Sequence, residues 1–199
     1  MTTASRTLRE ITCMGYNPAK LKDSALVMVD CQNTYRTGVM QLANVETAIL
    51  EAQKLLGIAR ELKVPIIHIQ HDAGPGSPYD ITAPIGAISA EVVPQSGEEV
   101  IVKHFPNAFV ETTLETKLRS LGIANVVLAG FMTHMCINST ARGAFNLGFN
   151  PTIVATACAT RSLPTSTGKV IDAHTMHETA LAGLRDLFAV VVDDVEALT

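Results

Sequence analysis

Asn125-Val-Val-Leu-Ala-Gly130, followed at once by Phe131-Met-Thr-His-Met-Cys136, decides how this chain is read. The first six residues form an apolar run of strand length, and the residues after them take up a helical pattern, so Cys136 is expected at a helix N-terminus. Such a terminus carries partial positive charge and unpaired backbone N–H groups, which favour thiolate over thiol and can hold a developing oxyanion. Two more strand ends carry ionisable groups: Asp30 closes Ala25-Leu-Val-Met-Val-Asp30, and Lys103 closes Glu98-Glu-Val-Ile-Val-Lys103. If these strands are parallel neighbours, an acid, a base and a nucleophile share one cleft at the carboxyl edge of the sheet, where ligands gather in open α/β folds.

Outward from that stretch, short β-branched runs alternate with helical patterns, the signature of βαβ units. Six strands are predicted at Ala25–Asp30, Val64–Gln70, Glu98–Lys103, Asn125–Gly130, Thr152–Thr156 and Phe188–Asp193. Their nearly continuous apolar character suits strands covered on both faces. The expected fold is a three-layer α/β domain, a mostly parallel six-stranded sheet between helices. Helices are predicted from Val45 to Ala59, capped by Asn44; from a Thr112–Glu115 capping box to Gly122, with Leu114, Leu118 and Leu121 in one stripe; from about Met135 to Leu147; and from about Lys169 to Asp186, with Met176, Ala180, Leu184 and Leu187 inward.

Two segments resist this pattern. Residues 1–22 form an arm without a clear period, expected to pack on another subunit or stay loose, and 23–199 form the single domain. Residues 71–96 form a long Gly/Pro-rich connection, and loops of that length in a compact domain usually serve as lids or binding loops.

Composition narrows the function. At 199 residues with 47% hydrophobic content, one domain with a large core is expected. A net charge of −4 without a Lys/Arg block argues against nucleic acid as a partner. The polar first ten residues and strand-sized apolar runs suggest neither a signal peptide nor a membrane span, so a cytosolic protein with reduced thiols is expected. Cys13, Cys31 and Cys158 read as small core hydrophobes. Cys136 stands apart because Thr133, His134, Asn138, Ser139, Thr140 and Arg142 surround it with polar groups. His134, two residues from Cys136, points away from it on a helix, and His174 and His177 lack a third ligand that would mark a metal site.

Val29-Asp30-Cys-Gln32-Asn-Thr-Tyr35, Val102-Lys103 and Gly130-Phe-Met-Thr133-His-Met-Cys136-Ile-Asn-Ser-Thr140-Ala-Arg142 together resemble the isochorismatase-like cysteine hydrolases, from Asp23 onward. The resemblance implies Asp30 as general base, Lys103 as electrostatic stabiliser and Cys136 as nucleophile in the hydrolysis of a non-peptide amide. It also implies a non-proline cis peptide at Phe131-Met132, with the N–H groups of Met132 and Cys136 as the oxyanion hole. Relatives that bind a metal do so through an Asp-x-His and a further His after the first strand; residues 33–61 contain neither Asp nor His, so no metal or other cofactor is expected. Gln32, Tyr35, Tyr79, Phe105, Asn107, Phe109 and His134 are the candidate pocket residues, with Arg36 and Arg142 available for a carboxylate. A homodimer or homotetramer acting on a small amide is the resulting expectation. The alternatives are vinyl-ether hydrolysis of the isochorismate type, whose branch lacks the cysteine, and a non-catalytic binding protein on the same fold.

Overall fold

The computed structural model describes residues 5–199. Its main sheet joins β1 (Ala25–Val29), β2 (Ile66–His71), β3 (Glu99–Lys103), β4 (Asn125–Phe131), β5 (Asn150–Ala159) and, after a two-stranded hairpin of β6 (Leu163–Pro164) and β7 (Val170–Ile171), β8 (Val190–Val192). Every pairing in the main sheet is parallel, in the order β3-β2-β1-β4-β5-β8. The predicted strands are thus present with shifted ends, and the fold is a six-stranded α/β sheet with helices on both faces.

Alternation along each strand feeds two cores. Leu26 and Met28 of β1 join Val127 and Ala129 of β4 and the inner stripe of helix α2 (Val45–Glu61). Ala25, Val27 and Val29 point the other way, where Leu114 and Leu118 of α3 (Leu114–Ser120), Ala141 and Ala144 of α4 (Asn138–Asn146) and Leu184 of α5 (Ala173–Arg185) cover them. Each fully buried aliphatic side chain contributes about 1.5–3 kcal/mol relative to exposure, so sandwiching the sheet is what makes purely apolar strands favourable.

Several local expectations fail, each for a visible reason. Asn44 adopts a left-handed conformation and makes no side-chain cap on α2. Thr112 accepts from Leu114 N and donates to the Ala108 carbonyl, while Glu115 pairs with Arg119, so no capping box forms and Leu121 stays exposed. The last helix begins only at Ala173, capped by Asp172, because Val170 and Ile171 pair with Leu163 and Pro164; its buried residues are Leu181 and Leu184 rather than the Met176 and Ala180 stripe. Cys31 and Cys158 are buried as expected, but Cys13 is exposed, in a turn with φ 59.

The arm is also more ordered than its sequence suggests. A helical turn, α1 (Leu8–Ile11), carries a Thr7–Glu10 capping box. Arg9 donates from its backbone N to the Asp186 carbonyl at 2.8 Å and from its guanidinium to that of Leu187 at 2.9 Å. The guanidinium of Arg185 lies 3.9 Å from the ring centre of Tyr16. The described part of the arm therefore packs on the end of α5 in its own chain. No helix among the described residues is long and apolar enough to cross a membrane.

Candidate active site

Asp30 follows β1 in a left-handed conformation (φ 49), which turns the chain over the strand end; its N–H still bonds to Ile69 O of β2 at 3.0 Å. Beneath it, Gly130 of β4 has φ 121, and a Cβ there would lie 2.0 Å from Val29 O. Only glycine allows β1 and β4 to approach so closely under the site.

β2 runs between β1 and β3, so Lys103 and Asp30 are not on neighbouring strands, contrary to the simplest sequence reading. Adjacent strands lie about 4.8 Å apart, which puts roughly 10 Å between the two backbones. The four-carbon lysine stem crosses that gap above His71, its register partner in β2. Its ammonium reaches Asp30 Oδ2 at 2.8 Å, Cys136 Sγ at 3.4 Å and His71 Nδ1 at 3.1 Å. Asp30 and Lys103 are fully buried, and Cys136 is 5% exposed. Neither Asp30 oxygen meets a donor in good alignment, so the close contact with Lys103 is an ion pair rather than a directed hydrogen bond.

Cys136 lies inside a π-helical turn, Thr133–Ile137, that precedes α4. Both Met135 N and Ile137 N bond to Met132 O, at 3.0 and 3.2 Å. The Phe131–Met132 peptide is cis. The packing works against the expected thiolate. Burial pushes the Cys136 thiol up to about 12, and the Asp30 carboxylate reinforces that shift more than Lys103 offsets it. Burial also raises Asp30, against the pull of Lys103.

The candidate pocket residues divide. Tyr35 is buried, edge-on to Phe131 and Tyr79, and Tyr79 is edge-on to His71, so an aromatic file runs from the core to the Lys103 contact. His134 bonds through Nδ1 to Thr160 Oγ1, and burial lowers its pKa. Phe105 is 42% exposed beyond the end of β3. Three candidates are committed elsewhere. Gln32 is fully buried, donates to His71 O and Gly86 O at 3.0 and 2.7 Å and accepts from His71 N at 2.9 Å, so its amide fastens the 71–96 connection to β1. Phe109 stacks on Phe149, which enters β5 from the opposite edge of the sheet. Asn107 accepts from Phe109 N, and its side chain packs so closely on Gly143 that a Cβ there would meet it at 2.6 Å. The suggested carboxylate readers are occupied as well: Arg36 pairs with Glu46 and Glu91, while Arg142 bonds to Asn138 and lies 4.0 Å from the ring centre of Phe188.

Two contacts were missed in the sequence. His71 ends β2 at the same edge as Lys103, and applying the strand-end argument to every strand would have found it. Burial and the neighbouring Lys103 charge lower its pKa to about 4, so it is a neutral acceptor for the ammonium near pH 7. His177 of α5 bonds through Nδ1 to Thr133 Oγ1 at 2.9 Å, and Thr133 is fully buried within the nucleophile turn. No local signal links those two residues. His177 also lines a cavity of about 560 Å³ between the N-terminal ends of α2 and α5 and the carboxyl end of β5.

Comparison with known proteins agrees with this architecture. The isochorismatase domain model matches residues 24–195. A crystal structure of an isochorismatase from Pseudomonas putida KT2440 superposes with TM-score 0.94 at 35% identity, covering 98% of this chain and all of that one. A secreted isochorismatase effector of Verticillium dahliae is 31% identical over 87% of this chain and 90% of its own. A ureidoacrylate amidohydrolase of Rhizobium rhizogenes is 30% identical over 65% of this chain and 68% of its own. This chain belongs to the isochorismatase family of hydrolases.

Proposed function

We propose that the protein hydrolyses a small-molecule amide through a thioester on Cys136. The observation that carries this reading is the buried triangle in which one ammonium touches both Asp30 and Cys136. With Asp30 ionised, Lys103 protonated and Cys136 a thiol, the triangle is neutral. Moving the thiol proton to Asp30 leaves a thiolate beside the same ammonium and is again neutral, so the transfer adds no net buried charge. A raised carboxyl and a resting thiol describe a nucleophile that is activated by its base only as it reacts.

Cys136 Sγ attacks the carbonyl carbon and Asp30 takes the thiol proton. The N–H groups of Met132 and Cys136 hold the oxyanion. Collapse breaks the C–N bond, and Asp30 returns the proton to the departing amine. Asp30 then deprotonates a water that attacks the thioester; the acid leaves and the sulfur recovers its proton. The chain's similarity to a ureidoacrylate amidohydrolase supports an amide over other acyl substrates. We also infer a homodimer or homotetramer, supported by exposed Val100 and Val102 on edge strand β3 and by Phe105 beyond it; light scattering reads it directly.

The test is a panel of small amides and ureido compounds with ammonia release as readout. Cys136→Ala should retain its circular dichroism and lose turnover at least 10³-fold, and mass spectrometry should trap the acyl group on Cys136. Pyruvate release from isochorismate at a rate unchanged by thiol alkylation would replace this reading with vinyl-ether hydrolysis.

A further inference from the structure

The opposite end of the molecule holds a cation that the hydrolytic site does not use. Arg9 is the single buried arginine among the described residues, 9% exposed, and it forms no salt bridge with any of them. Its Nε donates to Gly15 O at 2.8 Å and its Nη1 to Leu187 O at 2.9 Å, two backbone carbonyls that carry only partial charge. Its Nη2 has no acceptor among the described residues. The carboxylates of the same corner are taken by the backbone of the arm: Asp186 Oδ1 accepts from Leu8 N and Glu10 Oε2 from Thr7 N, each at 2.9 Å. Arg185 adds a second positive charge there, since its guanidinium and that of Arg9 lie 3.9 and 5.8 Å from the ring centre of Tyr16. Burial lowers the pKa of Arg9, and Tyr16 alone works against that.

This side chain lines a cavity of about 340 Å³. Asn125, Asn150 and Val190, which open β4, β5 and β8, line it too, so it sits at the amino edge of the sheet, away from the edge that carries Asp30, Lys103 and Cys136. Arg9 is the only charged residue in the lining. Asn17 contributes a carboxamide that makes no hydrogen bond among the described residues, and Pro18 and Phe145, the latter edge-on to Phe188, contribute apolar wall. The volume falls at the small end of the range for organic ligands, about 300–1,000 Å³.

A buried charge without a counter-ion is unfavourable, and a carboxylate restores neutrality while its oxygens accept from the N–H groups that the fold leaves unused. We propose that this cavity is a second binding site, for a small organic anion: a monocarboxylate with an aryl or short alkyl body, its carboxylate on Arg9 and Asn17 and its body against Phe145 and Pro18. One cation between apolar walls fits a single charge on an apolar body better than a phosphate, which is fully polar and more highly charged. The carbonyl partners of Arg9 belong to the arm and to the segment after α5, so the bound anion fastens the arm to the end of that helix.

Benzoate is the probe, and benzamide is its neutral isostere. Calorimetric titration of the full chain should give benzoate a Kd of about 1 mM or tighter, with benzamide and inorganic phosphate weaker by about tenfold or more. Saturating benzoate should raise the melting temperature and benzamide should not. Photolysed para-azidobenzoate, mapped by peptide mass spectrometry, should label residues 14–19 or 145–152 and not the segments around Asp30, Lys103 and Cys136. Arg9→Gln should abolish benzoate binding. Asn17→Asp, which keeps Arg9 in place and puts a carboxylate of the protein into the same cavity, should weaken it by about tenfold or more; if Arg9→Gln loosens the arm, this second variant decides. No binding of benzoate at millimolar concentration, benzamide or phosphate binding as tightly as benzoate, label confined to the hydrolytic site, or undiminished binding in Asn17→Asp would each overturn the proposal. None of these readouts involves turnover, so they stand apart from the amide-hydrolase reading.

Discussion

The ammonium of Lys103 lies 2.8 Å from Asp30 Oδ2 although an entire strand, β2, runs between the strands that carry them. The contact depends on side-chain length. Arginine would bring a planar fork that does not offer one point charge to carboxylate, thiol and imidazole together, and shorter residues would not span β2. His71, on the strand being crossed, supplies an acceptor along the way.

Asp30 and Cys136 should titrate against each other. Because the Asp30 charge raises the thiol while Lys103 lowers it, Asp30→Asn leaves the thiol with only the favourable neighbour. Iodoacetamide labelling of Cys136 should shift to lower pH in that variant, while turnover falls by about 10³-fold or more through loss of the base. An unchanged labelling profile would show that the two groups do not interact.

The bond between His177 and Thr133 should set the nucleophile turn from outside the site. Thr133 lies between Met132 and Cys136, whose N–H groups are assigned to the oxyanion. We expect His177→Ala to lower kcat roughly tenfold with KM little changed, since a lost hydrogen bond at a buried hydroxyl costs about 1–3 kcal/mol. His177→Asn, which keeps a polar atom near the Nδ1 position, should recover part of the rate. A rise in KM alone would assign His177 to substrate contact instead.

Stability should fall on mild acidification. The folded-state pKa of His71 is about 4, below the ordinary value of 6.5, so between those limits the unfolded chain binds a proton that the native chain does not. That contribution is complete above pH 6.5 and lost as pH falls toward 4; burial of His68, His134 and His177 acts in the same direction. Urea midpoints measured from pH 7 to 4 should therefore decrease, with a shallower slope for His71→Gln. Equal slopes for both proteins would contradict the assignment.

Gly130→Ala should destabilise the fold outright. The new methyl would meet Val29 O at 2.0 Å, and the residue would hold φ 121, a region that residues with a Cβ rarely occupy. A loss of more than about 3 kcal/mol is expected from overlap and backbone strain together. Thermal unfolding gives the check, and a melting temperature within a few degrees of wild type would mean that β1 and β4 separate easily.

Much of this molecule is legible along the chain because strand runs and helical stripes are local. The spacing of Val45, Ala48, Ile49, Ala52, Leu55, Leu56 and Ala59 marks the buried face of α2, and the apolar run that ends in Asp30 marks a strand covered on both sides, whereas the run that ends in Lys103 belongs to an edge strand whose Val100 and Val102 stay exposed. Strand-end position likewise singles out Asp30, Lys103 and Cys136. Tertiary structure alone decided that β2 separates two of the strands, that Gln32, Asn107 and Phe109 are used within the fold, and that His177 is brought to the turn that carries the nucleophile. It also decided the direction in which the thiol of Cys136 shifts. The local expectation of a thiolate rests on a helix terminus, but desolvation and the neighbouring carboxylate outweigh it, and both arise from residues distant in sequence that packing places around one sulfur.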